Sequence, residues 1–305
     1  MTCGTRREIT GNITLMKRNI LIATLAALAF SEICASQDNP PTPAEQYKAL
    51  FEEHRRASSS GSAMTDAERL KFVGRAYQRR NELSKKLLEL AEKYPNDPVA
   101  LDALIQAVWQ VNNIPWPVEL VGQDASTRAK VFAIIHRDHI RSDKLGPLCQ
   151  RVSYGYGKDY EDFLRAVAAT NPHKIVQATA SLSLAHYLNN RLQRIDLCRE
   201  QPVRAKEFAE LFGEEYFAAL QRQDRGKVLK EVETTLEQTI AKYGDVKLPS
   251  DDTVAERANA ELFEIRHLSV GMETPDIEGV DQDGKQFKLS DYRGKVVLLD
   301  FFSCV

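Results

Sequence analysis

Apolar residues recur three and four positions apart from about Ala44 to His267, and this spacing predicts helices almost throughout that stretch. Thr65-Asp66 can cap a long helix running to about Tyr94, with Leu70, Val73, Tyr77, Leu87 and Leu88 among its apolar positions. Pro95-Asn96-Asp97-Pro98 stops it and starts the next. That next helix, Val99 to Val111, carries Leu101, Leu104, Ile105 and Val108 at helical spacing and completes a helical hairpin. Further amphipathic segments are expected at about Ser126 to Ile140, Asp159 to Ala168, Val203 to Gln221 and Lys227 to Tyr243. Asn171-Pro172 opens another, with Ile175, Ala178, Leu182, Leu184 and Tyr187, and a last helix is expected from about Thr253 to His267.

From Gly271 the period becomes that of strands. Thr274 to Val280 reads as a short extended segment, and Asp283-Gly284 as a tight turn favouring positive φ. Lys285 to Leu289 alternates polar and apolar, so Phe287 and Leu289 share a face. Ser290 to Lys295 makes a turn. Val296 to Phe302 is an apolar run broken by Asp300, the pattern of a strand buried on both faces. The fold class expected is mainly α, a helical array followed by the incomplete N-terminal β part of an α/β domain.

At 305 residues the chain has room for about two domains. Its 41 basic and 43 acidic residues leave a formal net charge of −2, which creates no field to draw in nucleic acid. Met16-Lys17-Arg18-Asn19, the apolar stretch Ile20 to Phe30 and the small residues up to Ser36 read as an export leader cleaved after Ala35, with an upstream extension before Met16. The apolar stretch is shorter than the roughly 20 residues a span requires, so no stable membrane span is expected after cleavage. The expected organisation is 1–36 extension and leader, 37–43 proline-rich linker, 44–267 helical domain and 269–305 second domain, in an exported, periplasmic or extracytoplasmic protein. Removal of the leader takes Cys3 and Cys34 and leaves Cys149, Cys198 and Cys304 in an oxidising compartment. Cys149 and Cys198 either pair or stand as isolated buried cysteines.

Two stretches resemble known families. LLELAEKYPNDPVALDAL resembles the junction between helices in tetratricopeptide-type repeats, although the related start at Asn171-Pro172 lies too far on for a period of roughly 34 residues. GMETPDIEGVDQDGKQFKLSDYRGKVVLLDFF resembles the opening of the TlpA/ResA-like redoxins of the thioredoxin superfamily. The resemblance rests on Gly271, Pro275, Asp283-Gly284, Leu289-Ser290-Asp291-Tyr292, Gly294-Lys295 and Asp300-Phe301, with Phe302 where tryptophan is usual. It implies an incomplete thioredoxin-like domain and a thiol–disulfide oxidoreductase whose partner is a protein disulfide or thiol, with no cofactor. In the family a nucleophile at a helix start, its pKa lowered there, attacks a disulfide, and a cysteine three residues on resolves the mixed disulfide. Ser303, Cys304 and Val305 fill the family's three-residue spacer, so the resemblance puts the nucleophile immediately after Val305 and no catalytic residue within the chain. Selenocysteine, whose codon is also a stop codon, is one expectation for that position; a nonsense change or frameshift and an incomplete sequence are the others. The 305-residue form is expected to be inactive.

Other constellations read more simply as structure. Cys304 lies two residues early for the motif and has no cysteine three residues away. His136 and His139 sit three apart on an expected helix, a spacing that can share a metal, but no third ligand is apparent. Trp109, Trp116, Tyr154 and Tyr156 read as core or hairpin-packing residues, and Arg79, Arg80, Lys85 and Lys86 as the wet face of a long helix. From a different class, the alternative reading is a helical protein-binding scaffold with a degenerate redoxin tail.

Overall fold

The computed structural model describes residues 40–58, 65–111, 125–212, 214–269, 271–281 and 283–300. The expected leader, Cys3, Cys34, Trp116 and Cys304 lie outside the described residues. Residues 1–46 and 47–305 form separate compact units. Of the first, the described part holds the start of helix α1 (Pro43–Ser58), where Glu45 accepts from the Thr42 amide at 2.8 Å.

The protein is mainly α. Helix α2 (Asp66–Lys93) starts at a capping box: the Thr65 hydroxyl accepts from the Glu68 amide, and the Glu68 carboxylate accepts from the Thr65 amide at 2.9 Å. It packs against α3 (Val99–Val111), and the buried Ser84 hydroxyl donates to the Ala107 carbonyl at 2.9 Å across the pair. This is the hairpin that the Pro95–Pro98 punctuation predicts. Helix α4 (Ala125–Ile134) runs into a π turn at Ile135–His139 rather than continuing as α to Ile140. After α5 (Gly146–Val152) and α6 (Lys158–Thr170) comes α7 (Lys174–Glu200), the central helix, against which α5, α6 and α10 (Arg225–Tyr243) pack. Its Tyr187, Leu188 and Ile195 are fully buried. A helix packed on several sides buries apolar residues around much of its circumference, and Gln193, Arg199 and Glu200 stay exposed.

Over the stretch expected as helix from Val203 to Gln221, the described residues form α8 (Pro202–Phe212) and α9 (Glu214–Gln221). Helix α11 (Val254–Phe263) opens on a second capping box, Thr253 with Glu256, and ends in a π turn at Glu264–Leu268. Among the described residues no helix is long and apolar enough to cross a membrane.

The C-terminal stretch holds a two-stranded antiparallel sheet, β1 (Glu278–Val280) with β2 (Gln286–Lys288), in the register Gly279 opposite Phe287. Gln286 and Lys288 are exposed while Phe287 and Leu289 are partly covered, the alternation expected of this segment. The strand expected at Val296 to Phe302 is not formed in its described part, residues 296–300. Among the described residues no strand lies beside it to complete a hydrogen-bonded ladder.

Candidate functional site

The redoxin-like residues build a small, locally determined scaffold. The Asp276 carboxylate accepts from the Ser290 amide at 2.8 Å and from its hydroxyl at 2.7 Å, and these bonds hold the Asp276 carboxyl below its ordinary value. Asp281 closes the hairpin by accepting from the amides of Asp283 (3.0 Å) and Lys285 (2.8 Å), and Gly284 takes the positive φ of 79° that the turn requires. A Cβ on Gly279 would stand 3.1 Å from the Phe287 ring, so glycine is what lets that ring lie across the sheet. Leu289–Tyr292 forms a 3₁₀ turn, and Gly294, at φ 83°, redirects the chain into the apolar run. In that run Val296 is 103% and Leu298 93% exposed, while Val297 and Leu299 line a cleft of about 360 Å³ with Thr274, Asp276, Leu289 and Tyr292.

Cys149 on α5 and Cys198 on α7 are both free and buried, so the disulfide alternative is not realised. Burial pushes both thiols up, the direction opposite to an activated nucleophile. His136 and His139 fall within the π turn, His136 exposed and His139 partly covered. Burial lowers the His139 pKa, and among the described residues no group of three or more His, Cys, Asp or Glu side chains could hold a metal ion. On the basic face of α2, Lys85 and Lys86 are exposed, as expected of a wet face. Arg79 and Arg80 are half-buried, and Lys86 pairs with Glu53 at 2.8 Å. Trp109 is packed beneath Arg151, whose guanidinium lies 5.3 Å from the ring centroid.

The polar centre that sequence reasoning missed lies between α4, α6, α7 and α9. Arg128 Nε donates to Asp159 at 2.5 Å, and Glu161 accepts from Arg191 and from Arg165. The Tyr187 hydroxyl donates to the Gly157 carbonyl at 2.7 Å and lies 3.2 Å from the Tyr216 hydroxyl; burial, and then Tyr216, push its pKa up. Arg194 Nη1 donates to the Tyr216 hydroxyl at 3.0 Å, and its guanidinium carbon sits 4.0 Å from the Tyr156 ring centroid. Close packing fixes the Ser153–Gly157 loop that carries Tyr156. A Cβ on Gly155 would meet the Tyr160 ring at 2.6 Å, and Gly157 has a φ of 121°. The available signal was the spacing of Tyr187, Arg191 and Arg194, which places all three on one side of a helix.

Next to this centre is a cleft of about 320 Å³ lined by Tyr154, Tyr156, Asn190, Gln193, Arg194, Leu197, Arg204 and Phe208. Tyr154 is 61% exposed, and its ring meets His186 edge-on at 4.8 Å. Burial, with the Arg194 charge adding, keeps the His186 pKa low. No family model, curated protein or solved structure matches the chain.

Proposed function

We propose that the chain belongs to an exported thiol–disulfide oxidoreductase of the TlpA/ResA-like redoxin type, whose helical part docks the protein that supplies or accepts the disulfide. The observation that carries this reading is the ordered sequence set from Gly271 to Phe301, of which Asp276, Gly279, Asp281, Gly284, Ser290 and Gly294 each have a definite local task. Asp276 fastens Ser290, Asp283-Gly284 turns the hairpin, and Gly294 turns the chain into the apolar run, which by sequence order corresponds to the family strand that precedes the nucleophile. That run is largely uncovered, as a strand awaiting sheet neighbours would be. Export and the nature of the partner rest on the leader-like N-terminus and on the family chemistry.

In the mechanism implied, a deprotonated nucleophile following Ser303-Cys304-Val305 attacks one sulfur of the partner's disulfide. The partner's S–S bond breaks, its second sulfur leaves as thiolate and takes a proton, and a cysteine three residues beyond the nucleophile attacks the mixed bond to release the reduced partner. Cys304 takes no part. The 305-residue chain should therefore reduce insulin disulfides no faster than background. Activity that disappears in Cys304→Ser would contradict this reading.

A second reading, a helical scaffold that binds a partner protein, is favoured by the Arg194 cleft. That feature lies wholly within the helical region 44–267, and no cysteine lines it.

A further inference from the structure

Arg194 is 6% exposed, and a guanidinium buried to that degree is costly unless charge or hydrogen bonds compensate it. Its neighbours in the same layer are matched to carboxylates: Arg128 to Asp159, Arg191 and Arg165 to Glu161, and Arg225 to Asp196. Arg194 is held differently. Among the described residues its hydrogen bonds go to neutral oxygens, the Tyr216 hydroxyl at 3.0 Å and the Tyr154 carbonyl at 3.5 Å. The Tyr156 ring, 4.0 Å below, offers it a π face. The positive charge is thus fixed in place but not neutralised.

The cleft beside it contains a second guanidinium, Arg204, two side-chain amides and no carboxylate. Its apolar wall is built from flat surfaces. Tyr156, Phe208 and Phe217 stack nearly parallel, with ring centroids 6.1 to 6.5 Å apart. The volume of about 320 Å³ lies at the small end of ligand clefts, roughly 300–1,000 Å³. Two arginines can take a carboxylate by charge-assisted hydrogen bonds, and phosphate, the other anion arginine holds in this way, serves as the competing ligand in the test below.

We propose that this cleft binds a carboxylate side chain flanked by an aromatic or aliphatic residue, as presented by an extended acidic peptide segment of a partner protein. Arg194 supplies the buried charge, Arg204 the rim charge, and the Tyr156–Phe208 wall the apolar contact. The inference stands on the helical residues and does not depend on the redoxin reading.

The test is calorimetric titration of the 305-residue chain with the capped tripeptide acetyl-Phe-Glu-Phe-amide, its Gln counterpart and inorganic phosphate. Saturable binding of the Glu peptide is expected. It should weaken about tenfold or more for the Gln peptide, as for loss of a charge-assisted hydrogen bond, and fall severalfold between about 0.05 and 0.5 M salt. Arg204→Gln changes an exposed side chain and so leaves the fold intact; it should weaken binding severalfold. Arg194→Lys, checked for folding by circular dichroism, should weaken it further, and if that variant does not fold, Arg204→Gln decides. Equal affinity for the Glu and Gln peptides, no effect of Arg204→Gln, no binding at about 1 mM peptide, or phosphate binding as tight as the peptide would each overturn the proposal.

Discussion

Glu161→Gln isolates the energetics of the buried charged layer. The Arg191 side chain is 9% exposed and that of Glu161 14%, so water cannot take over when one partner loses its charge. Removing one member of such a pair costs about 3–5 kcal/mol, chiefly because the other is left uncompensated. Arg191 keeps the face of Tyr187, 5.4 Å from its guanidinium carbon, and glutamine retains one acceptor oxygen. The low end, about 3 kcal/mol, therefore applies. Arg165 adds little, since it is 43% exposed, has Glu231 as a second partner, and exposed pairs contribute about 0–1 kcal/mol. In a folded unit of this size 1 kcal/mol moves the midpoint by roughly 2–4 °C, so Glu161→Gln should lose roughly 6–12 °C. Urea and thermal unfolding followed by far-UV circular dichroism would read both quantities. The double variant Glu161→Leu with Arg191→Met, which removes both charges, should return to within about 1 kcal/mol of the parent. A loss under about 0.5 kcal/mol in the single variant, or a double variant worse than the single, would refute the argument that an unpaired charge is what costs stability.

Three other outcomes follow from particular side chains. Burial pushes the Glu261 carboxyl up to about 7, with Arg257 opposing and Glu264 adding, so the folded chain holds a proton that the unfolded chain, titrating near 4.5, has released. Stability should fall as pH rises between those values, and Glu261→Gln should raise the midpoint at about pH 8 but not at about pH 4; equal shifts at both would contradict this. Cys149, fully buried with its thiol pushed up, should resist alkylation in the native protein and react only on unfolding, as peptide mapping by mass spectrometry would show; rapid native labelling would contradict it. With Val296 103% and Leu298 93% exposed, the 305-residue chain should aggregate more readily than one ended at His267. Equal light scattering from the two would count against that.

Local signals were legible in the sequence. The Thr65 and Thr253 caps, the proline stop before α3 and the Asp283-Gly284 turn each act within a few residues, and the matching elements begin or turn there. Tertiary effects were not legible. The π turns after Ile134 and Phe263 leave the apolar period nearly unchanged, so the pattern reads as continuous helix. Asn171 reads as part of a helix start, yet it is 1% exposed and its amide donates at 2.8 Å to the carbonyls of both Ile140 and Ser142, a clamp between segments far apart in sequence. Tyr154 and Tyr156 read as packing residues, and Tyr156 does pack, but as the floor beneath an arginine. Arg194 itself looks like any helical arginine, because no residue near it in sequence records that it is buried with neutral partners.

The central claim is that residues 271–300 open a redoxin, and the most direct measurement is to read the gene beyond the Val305 codon. The account predicts a nucleophile next, either cysteine or an in-frame UGA with an adjacent stem-loop. A cysteine three residues later and the remaining strands and helices of a thioredoxin fold should follow. A downstream reading frame without that pair and fold would contradict it.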